Sequence, residues 1–276
     1  MLDRVIKICG VTSEADALGA VAQGSNAIGF VFAASPRNID AHRVADIVRH
    51  LPREVLTVGV FRNAEMSEIE RIVQVSGVSA VQLHGHETAD DVARVKSLVP
   101  IVIKALVCED DLLLEFDESE ADFLLVDGEN PGSGEIHDFS ALERVTLLTP
   151  TIAAGGLTPL TVADVIRRYP VAGVDVASGV ESAPGVKDPV LVAQFVRAAR
   201  DSFCWRSTTC TGTRIVRAWL ATARCTLWRI HQVAYVENLK PRRQSNFSTA
   251  RMRPRFPSWM RSRDRKSTRL NSSHVK

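Results

Sequence analysis

Val5-Ile-Lys-Ile-Cys-Gly-Val-Thr-Ser-Glu-Ala-Asp16, continuing to Gly24 and a second apolar run near Ile28, decides the fold. The short β-branched run predicts a strand. Ser13-Glu-Ala-Asp16 resembles a capping box that opens a helix, and Gly24 stands where that helix stops. Working outward, the same unit recurs. Apolar runs begin near Val5, Ile28, Leu56, Ala80, Ile101, Phe123, Thr151 and Gly173, one every ~25 residues, the pattern of serial βα units on a parallel sheet. Thr158-Pro159 and Asp188-Pro189 each pair an N-cap residue with proline at the first helical position. Leu191, Phe195 and Val196 recur at core-facing spacing in the last helix. Eight units with short loops leave a closed barrel or a doubly wound open sheet. Even repetition favours the barrel, and Cys9-Gly10-Val11-Thr12 occupies the place where a dinucleotide fold has its glycine-rich turn. The expectation is an α/β protein with a (β/α)8 TIM barrel over residues 1–200 and a C-terminal extension, 201–276, of no clear fold.

The composition supports that division. The 276 residues are 45% hydrophobic and 24% charged, ordinary for a globular protein with a sizeable core. No apolar run approaches the ~18–20 residues that cross a bilayer, and no charged-then-apolar leader precedes Val5, so neither a membrane protein nor a secreted one is expected. Residues 1–200 carry 17 Lys+Arg against 29 Asp+Glu, a net of −12, whereas residues 201–276 carry 17 against 3, a net of +14. All four tryptophans lie in the second stretch. The five cysteines (Cys9, Cys108, Cys204, Cys210, Cys225) form no CxxC or Cys/His cluster, which fits a reduced, cytoplasmic compartment.

In a (β/α) barrel the chemistry sits where the strands end. The residues there are Cys9 after the first strand, Arg37 after the second, His84 after the fourth, Asp127 after the sixth, Gly155 and Gly156 after the seventh, and Ser178 and Gly179 after the eighth. Cys9 and Asp127 make a base and acid pair, although a lone cysteine in an apolar strand is commonly an inert, buried thiol. An aspartate after Phe123-Leu-Leu-Val126 must be paired, hydrated or protonated, and in the protonated form it serves as a general acid. Lys7 shares a strand face with Cys9, and both Asp127 and Asp175 compete for it. We take Asp127 as the acid and Asp175 as the structural partner of Lys7. The glycine turns after strands seven and eight suit a phosphate held by backbone N–H groups. Arg37 either grips a carboxylate with its planar fork or is a solvated surface residue. His84 either orients substrate or caps its strand end.

The same residues carry a family resemblance. Lys7-Ile-Cys-Gly10 with Val11-Thr12, Gly29-Phe-Val-Phe32, Ser35-Pro-Arg37, Val81-Gln-Leu-His-Gly85, Val126-Asp127 with Pro131-Gly-Ser-Gly134, Ala154-Gly-Gly-Leu157 and Ser178-Gly-Val-Glu181 follow one another in order over residues 3–200. The set resembles phosphoribosylanthranilate isomerase. That resemblance implies a (β/α)8 barrel of tryptophan biosynthesis, acting without metal or organic cofactor on a small sugar-phosphate. The reaction implied is an Amadori rearrangement of N-(5-phosphoribosyl)anthranilate, with Asp127 as general acid and Cys9 as general base. Phosphate binding at Gly156, Ser178 and Gly179 and an anthranilate carboxylate near Arg37 follow in the same way. Many members have Ser-Ser-Gly at the eighth strand, where this chain has Ala177-Ser178-Gly179.

Two other readings frame the expectation. A related barrel acts on the aminoimidazole-carboxamide ribonucleotide of histidine synthesis, but its family generally uses two aspartates, which Cys9 argues against. A nucleic-acid-binding role would rest on the basic, aromatic stretch 201–276 alone. Ile215, Trp219 and Leu220 would line one side of a helix between Arg214 and Arg229. The ending Arg265-Lys-Ser-Thr-Arg-Leu-Asn-Ser-Ser-His274 instead resembles out-of-frame or sequencing-adapter-derived sequence, so the stretch is assigned no functional role. The partners expected are a small sugar-phosphate substrate, no membrane and no nucleic acid, in a monomer or homodimer.

Overall fold

A computed structural model of the chain describes residues 4–107, 110–117, 119–127, 139–140, 142 and 147–209. Cys108, Cys210, Cys225, the Pro131–Gly134 turn and the helix considered between Arg214 and Arg229 lie outside the described residues.

Eight parallel strands close into a barrel in sequence order. They are β1 (Val5–Ile8), β2 (Ala27–Val31), β3 (Leu56–Phe61), β4 (Ala80–Leu83), β5 (Ile101–Val107), β6 (Phe123–Asp127), β7 (Thr151–Ala153) and β8 (Gly173–Val176). The described helices are α1 (Glu14–Ala22), α2 (Ala41–His50), α3 (Met66–Ser76), α4 (Ala89–Lys96), α5 (Asp110–Asp117), α6 (Val162–Arg168) and α7 (Pro189–Thr209). Strands covered on both faces are apolar on both, which is why they appear as continuous runs. Val5, Cys9, Val58, Val60, Ile103, Leu125 and Ile152 point into the barrel. Ile6, Ile8, Ile28, Phe30, Val81 and Leu83 point out to the helices. Closure pairs the first strand with the last, Val5 opposite Gly173 and Lys7 opposite Asp175.

The helices begin where side chains satisfy their first N–H groups. Ser13 caps α1 by accepting from Asp16 N, and Asp40 caps α2 by accepting from His42 N and Arg43 N. Thr88 and Asp91 form a complete capping box on α4. Asp188 accepts from Val190 N and Leu191 N at the start of α7, as Asp188-Pro189 predicted. Thr158-Pro159 behaves differently. Thr158 Oγ1 accepts from Leu160 N and lies 3.2 Å from Thr161 Oγ1, so the pair closes a turn and α6 starts only at Val162, with Thr161 as its N-cap residue. Proline at the second position of a turn is as well pre-set as at the first of a helix. At the other end, α7 runs past residue 200 to Thr209, with Ser202 and Phe203 buried. Arg4 lies over the Phe203 ring, which ties this helix to the foot of β1. None of the helices among the described residues is long and apolar enough to cross a membrane.

One buried ion pair braces the rim. Lys104 points outward from β5 and places Nζ 2.8 Å from Glu87 Oε2 and 2.8 Å from Gly85 O. Glu87 also accepts from Asn63 N and Gly85 N, so one carboxylate holds the loops after β3 and β4 together. Burial pushes this carboxyl up, but the Lys104 ammonium and the two backbone donors outweigh it and hold it below its ordinary value of 4.5. Its contribution to stability is therefore present above pH 4.5 and is lost as pH falls through the folded value. Lys104→Met leaves the carboxylate buried without its cation. We expect a loss of about 3 kcal/mol at pH 7 in urea unfolding, shrinking below pH 4, where the carboxyl is protonated. An unchanged midpoint at pH 7 removes the pair from the brace.

Candidate active site

A cavity of about 380 Å³ opens at the end of the barrel where the strands finish, and among the described residues its walls come from seven of the eight βα units. Cys9 and Gly10 contribute from the end of β1, Arg37 from the loop after β2, Gln82 and His84 from β4 and its end, and Asp127 from β6. Gly155 and Gly156 follow β7, while Asp175, Ser178 and Gly179 come from β8 and the turn beyond it. Among the residues singled out from the sequence, all except Lys7 meet in this one space. Lys7 lies one inward position beneath Cys9, fully buried.

Around Cys9 the packing is tight. Gly29 holds the facing inward position on β2, and a Cβ there would lie 2.7 Å from Cys9 Sγ and 3.0 Å from Lys7 Cε. The missing side chain is what lets Lys7 and Cys9 lie side by side across the barrel floor. Lys7 Nζ is 3.0 Å from Asp175 Oδ2 and lies within electrostatic reach of the Cys9 thiol. Burial by itself lowers Lys7, but Asp175 and Cys9 reverse this and leave the ammonium held above its ordinary value. Burial pushes the Cys9 thiol up, and the Lys7 charge pulls part of that back. Asp127 stands against a different neighbour, with Oδ2 3.3 Å from His84 Nε2. The two aspartates are thus divided between two nitrogen partners: Asp175 meets Lys7, and Asp127 meets His84.

The turns after β7 and β8 touch. Gly155 and Gly156 both have positive φ, 89° and 64°, a conformation that glycine adopts without strain. Gly179 backs onto this turn so closely that a Cβ would fall 1.9 Å from Leu157 O. Ser178 opens the short 3-10 turn Ser178–Val180 directly after β8. Two stretches of bare backbone are thereby brought to one wall, open to close approach by a group that hydrogen-bonds peptide N–H.

Arg37 shows a feature the sequence did not reveal. Its Nε and Nη2 form a bidentate pair with Glu181, at 2.9 and 2.8 Å. Lys187 Nζ joins the same carboxylate at 2.7 Å and donates to Ala177 O. Burial pushes Glu181 up, yet Arg37 and Lys187 bring it below its ordinary value. Burial holds Lys187 below its own. Glu181 and Lys187 belong to a hairpin, β9 (Glu181–Ala183) and β10 (Val186–Lys187), pinned to the first loop by Thr12 Oγ1 donating to Gly185 O at 2.7 Å. The guanidinium keeps further N–H groups besides the two that Glu181 occupies. Glu181 could have been suspected from its place after Ser178-Gly-Val; Lys187 had no signal, because its partner is set by the hairpin.

The closed eight-stranded barrel with polar residues converging at its C-terminal rim defines an enzyme of the (β/α)8 class. The comparisons with known proteins say which. A family model described as N-(5'-phosphoribosyl)anthranilate (PRA) isomerase matches residues 6–198. The isomerase of that name from Pelobacter propionicus is 38% identical over 203 residues, covering 71% of this chain and 96% of the relative. The crystal structure of phosphoribosyl anthranilate isomerase from Thermus thermophilus superposes with a TM-score of 0.66 at 34% identity, over 71% of this chain and 98% of that one. A further structure, solved with reduced 1-(o-carboxyphenylamino)-1-deoxyribulose 5-phosphate, has a TM-score of 0.63 at 32% identity and covers 72% of this chain and 99% of that one. The chain belongs to the N-(5'-phosphoribosyl)anthranilate isomerase family, isomerases of tryptophan biosynthesis built on the TIM barrel.

Proposed function

We propose that this chain carries out the Amadori rearrangement of N-(5-phosphoribosyl)anthranilate with Asp127 as general acid and Cys9 as general base. The observation that carries the assignment is their convergence, with both glycine turns and Arg37, on one cavity. Asp127 gives a proton to the furanose ring oxygen. The bond from that oxygen to C1 breaks, its electron pair stays on the oxygen, and the anilino nitrogen forms a C=N iminium with C1. Cys9, as thiolate, takes the proton from C2. The released pair makes C1=C2 and neutralises the iminium, giving an enolamine. C1 then takes a proton as the hydroxyl on C2 gives one up, which leaves the ketone at C2, and the product is 1-(2-carboxyphenylamino)-1-deoxyribulose 5-phosphate. The iminium nitrogen is the electron sink, so the protein has to supply an acid, a base and positioning.

The remaining contacts follow from the walls of the cavity. Phosphate is held by backbone N–H groups at Gly155, Gly156, Ser178 and Gly179, where a charge-assisted bond to an anion is strongest. The anthranilate carboxylate meets the edge of Arg37 that Glu181 does not cover. Lys7 and Asp175 support Cys9 from below. The substrate is a small sugar-phosphate, the working compartment is the cytoplasm, where the free thiol of Cys9 stays reduced, and the stretch beyond the last helix takes no part in the chemistry. Phosphoribosylanthranilate is fluorescent, and its decay on adding the full chain tests the assignment. We expect rapid decay; none from a folded chain overturns it.

A further inference from the structure

Gln82 lies on the inner face of β4, and His84 follows two residues later, so alternation turns both towards Asp127 across the cavity. Gln82 is 1% exposed. Its Nε2 is 3.0 Å from His84 Nδ1, and its Oε1 is buried without a hydrogen-bond partner among the described residues. On the other side of the ring, His84 Nε2 faces Asp127 Oδ2. An amide N–H can donate to a ring nitrogen only where that nitrogen holds a lone pair. Neutral His84 then carries its proton on Nε2 and donates it to the carboxyl group.

We propose that Gln82 is a positioning residue for the acid step: its amide N–H fixes His84 as the Nε2–H tautomer, which makes Asp127 Oδ2 an acceptor and leaves the acid proton on Oδ1. The proposal rests on Asp127 being the general acid. The alternative amide orientation brings Oε1 to Nδ1 and requires Nδ1–H. Nε2 would then hold the lone pair and engage the acid proton of Asp127 itself, drawing it away from the substrate. With the Nε2–H tautomer the opposite holds. His84 donates to the carboxylate that forms as the ring oxygen takes the proton, an interaction that strengthens along the reaction.

The test is the 15N spectrum of histidine-labelled full chain, with the His84 signals assigned by their loss in His84→Asn. The wild-type chain is expected to show Nε2–H at His84. Gln82→Glu offers only an acceptor and is expected to reverse the tautomer, with kcat lowered about 100-fold and KM changed less than about 2-fold. Gln82→Met offers neither and is expected to give a mixture, with kcat lowered about 10-fold. Nδ1–H in the wild-type chain overturns the proposal, and this holds whether or not the variants fold. A tautomer that neither variant moves, or one that moves without a change in kcat, overturns it as well. The acid assignment fails separately, through Asp127→Asn, because the spectrum does not depend on turnover.

Discussion

Asp127→Asn is expected to lower turnover of phosphoribosylanthranilate by about three orders of magnitude while the barrel stays folded. Asparagine keeps the shape of the side chain, and its carbonyl oxygen still accepts from His84 Nε2, which lies 3.3 Å from Oδ2 in the native chain. It has no acid proton to give. Ring opening would then rely on water or on a proton from elsewhere in the cavity, and the loss should fall on kcat more than on KM. Fluorescence decay measures the rate, and a urea transition within about 1 kcal/mol of wild type shows that the fold survived. Near-normal turnover takes Asp127 out of the acid role and directs attention to His84.

Cys9→Ala is expected to cost a similar factor, by removing the base that takes the C2 proton. The substitution trims one buried sulfur, so its effect on stability should stay near 1 kcal/mol. Cys9→Ser should retain a trace of activity, because a hydroxyl is a far weaker source of an anion than a thiol. The native pH profile carries the same information with a definite sign. Burial raises the thiol above its ordinary value of 9.0, and Lys7 offsets only part of that. Thiolate is therefore scarce at neutral pH, and kcat/KM is expected to climb as pH rises towards 9.0. Normal turnover by Cys9→Ala means that another base is operating.

The barrel was legible because its strands are buried on both faces. Seven of the eight apolar runs begin at the residue where the strand begins, and β2 starts at Ala27, one residue before the run near Ile28. A continuous apolar run has few places to start. Helix starts were legible where the capping side chain is unambiguous, as at Ser13 and Asp188, and not at Thr158-Pro159, whose chemistry suits a turn equally well. The convergence was legible to the extent that position is enough: Cys9, His84, Asp127, Ser178 and the glycine turns stand at or just past strand ends and line one cavity. What each side chain touches there was not. Lys7 had two candidate carboxylates, and only the β1–β8 register gives it to Asp175. Arg37 meets Glu181 across 144 residues of sequence, by way of a hairpin that no periodicity announced. Gln82 was visible as part of Val81-Gln-Leu-His-Gly85, but its role depends on an angle between two side chains.

The seam of the barrel has a consequence for how the chain is made. Lys7 lies on the first strand of the barrel to be synthesised, and the carboxylate that neutralises it follows 168 residues later. Until β8 docks, the inner face of β1 carries an ammonium that can only be kept in water, since burying it alone is costly. A seven-stranded intermediate therefore cannot seal its interior. The β1–β8 pairing that closes the ring is also the barrel strand pairing of longest sequence separation, and such contacts form late and slowly. Cys9 is enclosed beside its charged neighbour only at that moment, so the nascent chain carries a thiol not yet raised by burial until its last strand is in place.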